Sequence, residues 1–128
     1  MQPVVHFEIP AKDYERAKGF YSNLFGWKID EWPGSPTKYG MATTTPTGKN
    51  GPEQPGAING AIMEKGNGVD STVVTIDVPS IDEYLEKIVR AGGKAKMAKV
   101  KVGDMGYNAS FYDTEGNIVG LWENIKKP

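Results

Sequence analysis

The chain has 128 residues, which predicts one domain, and its 15 basic and 16 acidic side chains leave a formal net charge of -1. No block of like charge is long enough to predict a nucleic-acid surface, and the lack of cysteine excludes disulfides, thiolate nucleophiles and iron–sulfur clusters. We find no signal peptide and no run of about eighteen apolar residues, so we expect a cytoplasmic protein that binds neither nucleic acid nor membrane.

The first half begins with alternating apolar and polar residues at positions 4–9, which predict a half-buried strand. Asp13 then predicts the N-cap of an amphipathic helix, because apolar residues recur behind it at steps of three and four as far as Gly26. Further strands are predicted at residues 27–32, 39–45 and 57–63, and a proline-rich loop is predicted at residues 46–55.

The second half repeats this order after a predicted turn at Gly66-Asn67-Gly68. Ser80 predicts the N-cap of a second helix, and Gly92 with Gly93 predicts its end. The strands predicted around this helix are residues 72–78, 95–102, 107–112 and 117–123. Each half therefore has the predicted order strand, helix, strand, strand, strand.

Two sequence echoes indicate that the halves are copies of one unit. His6-Phe7-Glu8-Ile9-Pro10 returns as Thr75-Ile76-Asp77-Val78-Pro79, at an offset of 79 minus 10, or 69 residues. Residues 56–60 return as residues 116–120, at an offset of 60. Two such copies pack against each other rather than forming an array, since solenoids usually need three or more units. We therefore expect the function to lie between the halves.

The duplicated order resembles the vicinal oxygen chelate superfamily, most closely its small glyoxalase-like and bleomycin-resistance-like proteins. The most specific matches are residues 15–21 with 24–27, and residues 103–123, and the resemblance covers essentially the whole chain. It implies an α+β fold in which two βαβββ modules form a curved mixed sheet. The modules would be approximately residues 3–65 and 70–126 of a single domain, 1–128. The resemblance also implies a cavity between the modules and a homodimer.

Metal-dependent members of this superfamily take four ligands, one from the first and one from the last strand of each module. The positions matching these ligands are His6, Thr75 or Val73, Asn59 or Gly60, and Gly120. One imidazole with an amide does not hold a divalent cation against water. We therefore predict no metal cofactor, with His6 as a weak metal candidate if a divalent metal is bound after all.

The candidate ligand-binding residues lie on the predicted inner strands and on the loop before the third strand of module 2. They are His6, Glu8, Asn59, Thr75, Asp77, Tyr107 and Trp122. His6 is the only histidine, so it is also the candidate catalytic residue for any imidazole acid–base chemistry. Gly120 in place of a carboxylate is expected to leave room beside Trp122 for a flat or apolar ligand.

These observations predict a metal-free binder of a small organic molecule in a cavity between the modules. Two alternatives stay open. The first is a metal-dependent lyase or dioxygenase-type enzyme that uses His6, and the second is an assembly module without a ligand.

Overall fold

The computed structural model describes residues 1–66 and 68–125. Asn67 of the predicted turn and the predicted end of the second module at residue 126 lie outside the described residues. The chain divides into two compact units. Residues 6–73 form the first, called module 1 below, and residues 1–5 join the residues from Val74 onward in the second, called module 2.

Module 1 contains one helix, one four-stranded sheet and a small hairpin. The elements are β1 (Val4–Ala11), α1 (Tyr14–Phe25), β2 (Lys28–Glu31), β3 (Tyr39–Thr43), β4 (Thr47–Gly48), β5 (Gly51–Pro52) and β6 (Asn59–Glu64). The sheet order is β2-β3-β6-β1, with β1 parallel to β6 and the other pairs antiparallel. The region predicted as a loop contains the short β4–β5 hairpin.

Helix α1 begins and ends where its sequence predicts. The Asp13 carboxylate accepts a hydrogen bond from the backbone N–H of Arg16 at 3.0 Å. Gly26 adopts a left-handed φ of 71°, and its N–H donates to the Ser22 carbonyl at 3.1 Å, so it satisfies one of the last carbonyls of the helix.

The core of module 1 lies between α1 and one face of its sheet. Its buried residues are Tyr14, Ile29, Ala42 and Ile62, and Phe7, Ile9, Ala11, Ala17, Tyr21 and Trp27 pack against them. Because side chains alternate along a strand, Phe7 and Ile9 toward the helix leave His6 and Glu8 on the opposite face. We call the sheet face opposite the helix the far face of each module.

Module 2 contains the second helix and a sheet with the same arrangement. The elements are β7 (Val73–Asp77), α2 (Ile81–Arg90), β8 (Lys94–Val102), β9 (Gly106–Tyr112) and β10 (Ile118–Asn124). The sheet order is β7-β10-β9-β8, with β7 parallel to β10. At the start of α2, Ser80 accepts from the N–H of Glu83 at 3.2 Å, and the Glu123 carboxylate accepts from the N–H of Ile81 at 2.7 Å.

The core of module 2 lies between α2 and its sheet, with Val78, Ile81, Ala109, Phe111 and Leu121 buried. The prediction of an α+β protein built from two βαβββ modules with mixed strand directions is confirmed. Within residues 1–66 and 68–125, neither helix is long and apolar enough to span a bilayer.

Candidate functional site

The far face of module 1 carries three of the predicted site residues together with Tyr39. Along the parallel β1–β6 pair, His6 lies opposite Asn59 and Glu8 lies opposite Ala61. Strand β3 continues the sheet on the other side of β6, where Met41 pairs with Ala61 and Tyr39 pairs with Met63. The structure therefore brings a carboxylate, the only imidazole and a phenol to one sheet face.

Glu8 and Tyr39 form a hydrogen-bonded pair across the intervening strand. The Tyr39 hydroxyl bonds the Glu8 carboxylate over Ala61, whose small side chain is fully buried. The two strands that carry the pair are roughly 10 Å apart, so long side chains at both positions are needed. Burial raises the pKa of Glu8 and opposes the smaller effect of the Tyr39 hydrogen bond, while burial first and then the charge of Glu8 raise the pKa of Tyr39.

His6 is half-buried beside this pair, and burial lowers the pKa of its imidazole. A buried imidazole disfavours its charged form, so His6 is neutral at pH 7. It can then accept a proton or a hydrogen bond through one ring nitrogen and donate through the other.

Asn59 uses its side chain to hold the neighbouring loop. Its Oδ1 atom accepts from the backbone N–H of Thr44 at 2.9 Å, and its Nδ2 atom donates to the Thr47 hydroxyl at 2.8 Å. The Thr44 hydroxyl also donates to the Ile58 carbonyl at 2.7 Å. Both heavy atoms of the Asn59 amide therefore have partners within the chain, which ties the start of β6 to the residues that follow β3.

The far face of module 2 holds Thr75, Asp77 and Trp122, as the strand pattern predicts. The indole N–H of Trp122 donates to Asn124 Oδ1 at 2.9 Å, and Asn124 Nδ2 lies 3.4 Å from Asp77 Oδ1. Burial raises the pKa of Asp77. The Asn124 amide thus connects the Trp122 indole to the Asp77 carboxylate, and its hydrogen bond to Asp77 is long.

The expected room beside Gly120 is filled by Thr75. An added Cβ on Gly120 would lie 2.6 Å from Thr75 Oγ1, and Thr75 is only 7% exposed. The expectation of a vacant space at this position was wrong. Strand alternation assigned Gly120 and Thr75 to one face but did not give the distance between them. Gly120 is a glycine here because its cross-strand neighbour occupies the volume a side chain would need.

Strand register also decides which residue of β6 corresponds to Gly120. His6 lies opposite Asn59, and its repeat mate Thr75 lies opposite Gly120. The equivalent of Gly120 is therefore Asn59, at an offset of 120 minus 59, or 61 residues, and the offset of 60 inferred from the glycine echo was wrong by one. Gly60 belongs to the helix side, where an added Cβ would lie 2.5 Å from the Phe7 ring.

Tyr107 does not join the other candidates. It pairs with Glu123, whose carboxylate reaches the start of α2, and it packs against the core on the helix side of the sheet. The Lys99 ammonium lies 4.6 Å from the centre of its ring. The far-face neighbours of Trp122 on β9 and β8 are instead Asn108 and Val100.

The residues at the four predicted ligand positions do not fit a divalent metal centre. Within residues 1–66 and 68–125, no three histidine, cysteine, aspartate or glutamate side chains form a group that could hold a metal ion. Of the four positions, His6 supplies an imidazole, Asn59 is bound to its loop, Thr75 offers a hydroxyl and Gly120 offers no side chain. The absence of a metal cofactor stays a prediction.

Sequence reasoning missed Tyr39 and Asn124 as members of these faces. Tyr39 was predicted to lie in a strand, but which face it occupies depends on the β3–β6 register, which periodicity alone does not fix. Asn124 lies at the end of β10, one residue beyond the predicted strand. Its spacing of two residues from Trp122 is the signal that could have placed both on one face.

Tyr39 also borders a surface hollow. A hollow of about 390 Å³ lies at the edge of the module 1 sheet and is bordered by Tyr39, Trp32 and Lys38 among others. Neither Glu8 nor His6 borders it. The candidate site is therefore a sheet face beside this hollow.

Known proteins of similar sequence are glyoxalase-like. A family model described as bleomycin resistance protein-like N-terminal matches residues 4–44. A glyoxylase-like domain-containing protein of Didymella fabae is 33% identical over 115 residues, covering 86% of this chain and 84% of that protein. CFP32 of Mycobacterium tuberculosis, which carries the provisional name of a glyoxylase, is 32% identical over 120 residues, covering 91% of this chain and 43% of that protein. The chain thus spans less than half the length of CFP32.

Solved structures share the fold at low sequence identity. Methylmalonyl-CoA epimerase from Mycobacterium tuberculosis superposes with a TM-score of 0.65 at 11% identity, covering 96% of this chain and 88% of that one. A glyoxalase/bleomycin resistance protein/dioxygenase superfamily member from Vibrio splendidus gives a TM-score of 0.64 at 13% identity, covering 98% and 100%. At these identities the likeness is one of fold alone.

Proposed function

Because the chain belongs to the vicinal oxygen chelate superfamily, as a glyoxalase-like protein, we propose that it is a metal-free binder of a small organic molecule. The proposed location is the cytoplasm. The observation that carries the proposal is the far face of module 1, where His6, Glu8 and Tyr39 lie beside apolar side chains of β3 and β6. A few convergent polar groups on an apolar floor are typical of small-molecule sites.

The proposed ligand contacts in module 1 are His6, Glu8 and Tyr39. Asn59 acts there as the support of the loop, because its amide is already bonded on both sides. In module 2 the proposed contacts are Trp122 and Asp77, with Thr75 setting the depth of the face beside Gly120.

The second candidate function is a metal-dependent lyase or dioxygenase-type enzyme that uses His6. The feature in its favour is the burial of His6, which lowers the pKa of its imidazole, since metals and protons both bind to the neutral imidazole. A metal held there needs further donors, and Glu8 is the nearest carboxylate on the same strand face.

The third candidate is an assembly module, and a homodimer is compatible with all three candidates. Helix α1 exposes Phe20, Leu24 and Phe25 with 53%, 63% and 61% of their surface open. Three large apolar side chains on one helix form the kind of patch that marks interaction sites. We propose that a second copy of the chain covers them.

Metal analysis together with a thermal-shift screen separates these candidates. We expect the purified protein to carry no stoichiometric zinc, nickel or manganese, and we expect His6→Ala to leave the metal content unchanged. We also expect at least one small organic molecule to raise the melting temperature, since a ligand at one hundred times its Kd adds about 2.7 kcal/mol to the free energy of unfolding. Stoichiometric metal that disappears in His6→Ala would support the enzyme, and a broad screen without any stabilising compound would support the assembly role.

A further inference from the structure

Glu8 is a half-buried carboxylate without a basic partner. Every ion pair among residues 1–66 and 68–125 uses another acid, namely Glu31, Asp30, Glu15, Glu83 or Asp82. An unpaired carboxylate removed from water is costly, and buried charges are normally paired. We therefore expect the Glu8 carboxylate to pair with a cationic group of a bound ligand.

The neighbours of Glu8 within module 1 do not neutralise it. Tyr39 donates one hydrogen bond, whereas an ionised carboxylate has about four acceptor positions. His6 lies two residues earlier on the same strand face and is uncharged at pH 7, because burial lowers its pKa. The three β6 residues on this face, Asn59, Ala61 and Met63, carry no charge.

The surroundings of Glu8 suit an apolar body attached to a cation. Met41 on β3 is 43% exposed and pairs with Ala61, the residue opposite Glu8. Trp32, 39% exposed, stands beside Tyr39 with its ring centre 5.6 Å away in an edge-on arrangement. An ammonium group gains both from a carboxylate and from nearby aromatic faces, and thioether side chains adapt to varied apolar shapes.

We propose that the far face of module 1 binds small organic amines, with the ammonium group paired to the Glu8 carboxylate and the apolar part against Met41 and the Tyr39–Trp32 rings. This inference rests on the proposed small-molecule function and names its ligand class. Tyr39 acts as a positioning residue, because its hydroxyl bonds to the Glu8 carboxylate that would pair with the ligand.

The test uses three probes of similar size that differ in charge: 2-phenylethylamine, 2-phenylethanol and 3-phenylpropionate. Binding to the full chain is measured by calorimetry and by ligand-observed NMR at pH 7.5, where the amine is protonated. We expect the amine to bind more tightly than the alcohol and the carboxylate not to bind. Glu8→Gln should weaken the amine roughly tenfold or more, since hydrogen bonds to charged groups are the strong ones.

Glu86→Gln on α2 is the matched control, because it removes the same charge from an exposed helix position outside the proposed ligand contacts and should leave amine binding in place. Circular dichroism and the melting temperature establish that Glu8→Gln is folded. Equal binding of amine and alcohol, or amine binding that survives Glu8→Gln, would overturn the amine assignment. Binding of the alcohol alone or of the carboxylate alone would also overturn it, but the broader small-molecule function would stand. That broader function fails only if no compound in the separate thermal-shift screen stabilises the protein.

Discussion

Modules 1 and 2 place a carboxylate at the same step of their first strands, but different side chains donate hydrogen bonds to it. Glu8 receives the Tyr39 hydroxyl directly, from β3. Asp77 receives the Asn124 amide, which in turn accepts from the Trp122 indole on β10. The carboxylate has been kept in both copies of the unit, while its donor has moved to another strand.

Strand register shows that this difference is an exchange of large and small residues. Ala61 lies opposite Glu8 and Trp122 lies opposite Asp77, so these two positions are equivalent. Two residues further along β6 and β10, the cross-strand partners are Tyr39 in module 1 and Gly106 in module 2. The pair is therefore alanine with tyrosine in one module and tryptophan with glycine in the other.

The exchange indicates that pairs of neighbouring residues, and not single residues, determine the shape of the far face. Over Ala61 there is space for Tyr39 and Glu8 to meet, and over Gly106 there is space for the Trp122 ring. Cores and packed faces tolerate such changes best when the total volume is kept. A single change at one position of either pair should therefore be costly.

The largest effect is expected from Gly106→Ala, which breaks the tryptophan–glycine pair. An added Cβ would contact the backbone carbonyl of Glu123 and lie 2.5 Å from the Trp122 ring, and a backbone atom cannot give way. We expect the free energy of unfolding to fall by about 3 kcal/mol, measured by urea denaturation. The matched control is Gly19→Ala in α1, where the nearest atom is 4.0 Å from the new Cβ. That helix substitution should raise the free energy of unfolding by about 0.5 to 1 kcal/mol, and a loss of similar size in both variants would contradict the packing argument.

A smaller loss is expected from Gly120→Ala, and it should depend on Thr75. The new Cβ would lie 2.6 Å from Thr75 Oγ1, which Thr75→Ala removes, and 3.3 Å from Thr75 Cβ, which that substitution keeps. We expect a loss of about 1 to 2 kcal/mol in the free energy of unfolding, and we expect Thr75→Ala to recover much of it in the double variant. A double-mutant cycle measures the coupling between the two positions. Strictly additive losses would show that Thr75 is not what excludes a side chain at position 120.

The sequence predicted the elements of the fold well because their signals are local. Asp13, Gly26 and Ser80 mark helix ends through hydrogen bonds made within a few residues, and the strand alternation at His6 and Glu8 assigns their face directly. The duplicated unit was visible because the repeat preserves these same local signals.

The site was predicted less completely because it depends on register between strands. Tyr39 joins Glu8 only through the β3–β6 pairing, and Tyr107 leaves the far face because it pairs with Glu123. A shift of one residue moves a side chain to the other face, and periodicity does not determine which residue is opposite which. The hydrogen bonds of Asn59 to its loop likewise depend on contacts 12 and 15 residues apart in sequence.

The smallest expected effect is a pH-dependent change in the free energy of unfolding, and it tests whether the two carboxylates behave alike. Burial raises the pKa of Glu8 above its ordinary value of 4.5, so the folded state holds this proton more tightly than the unfolded state. The stability from this group is therefore fully present below pH 4.5 and is lost as pH rises through the folded pKa. Glu8→Gln keeps an acceptor for Tyr39 and removes the charge, so it should raise the free energy of unfolding at pH 7 by about 1 kcal/mol.

This gain should shrink toward pH 4, where wild-type Glu8 is protonated, and urea denaturation between pH 4 and pH 8 follows it. Asp77→Asn should show the same sign, because burial also raises the pKa of Asp77. The exposed Glu86→Gln on α2 controls for the change in net charge and should show no such pH-dependent gain. A Glu8→Gln variant that is less stable than wild type at pH 7 would mean that the carboxylate is already paired in the folded chain. That result would remove the reason for expecting a cationic ligand on module 1, and the exchange of aromatic partners between the modules would then be a matter of packing alone.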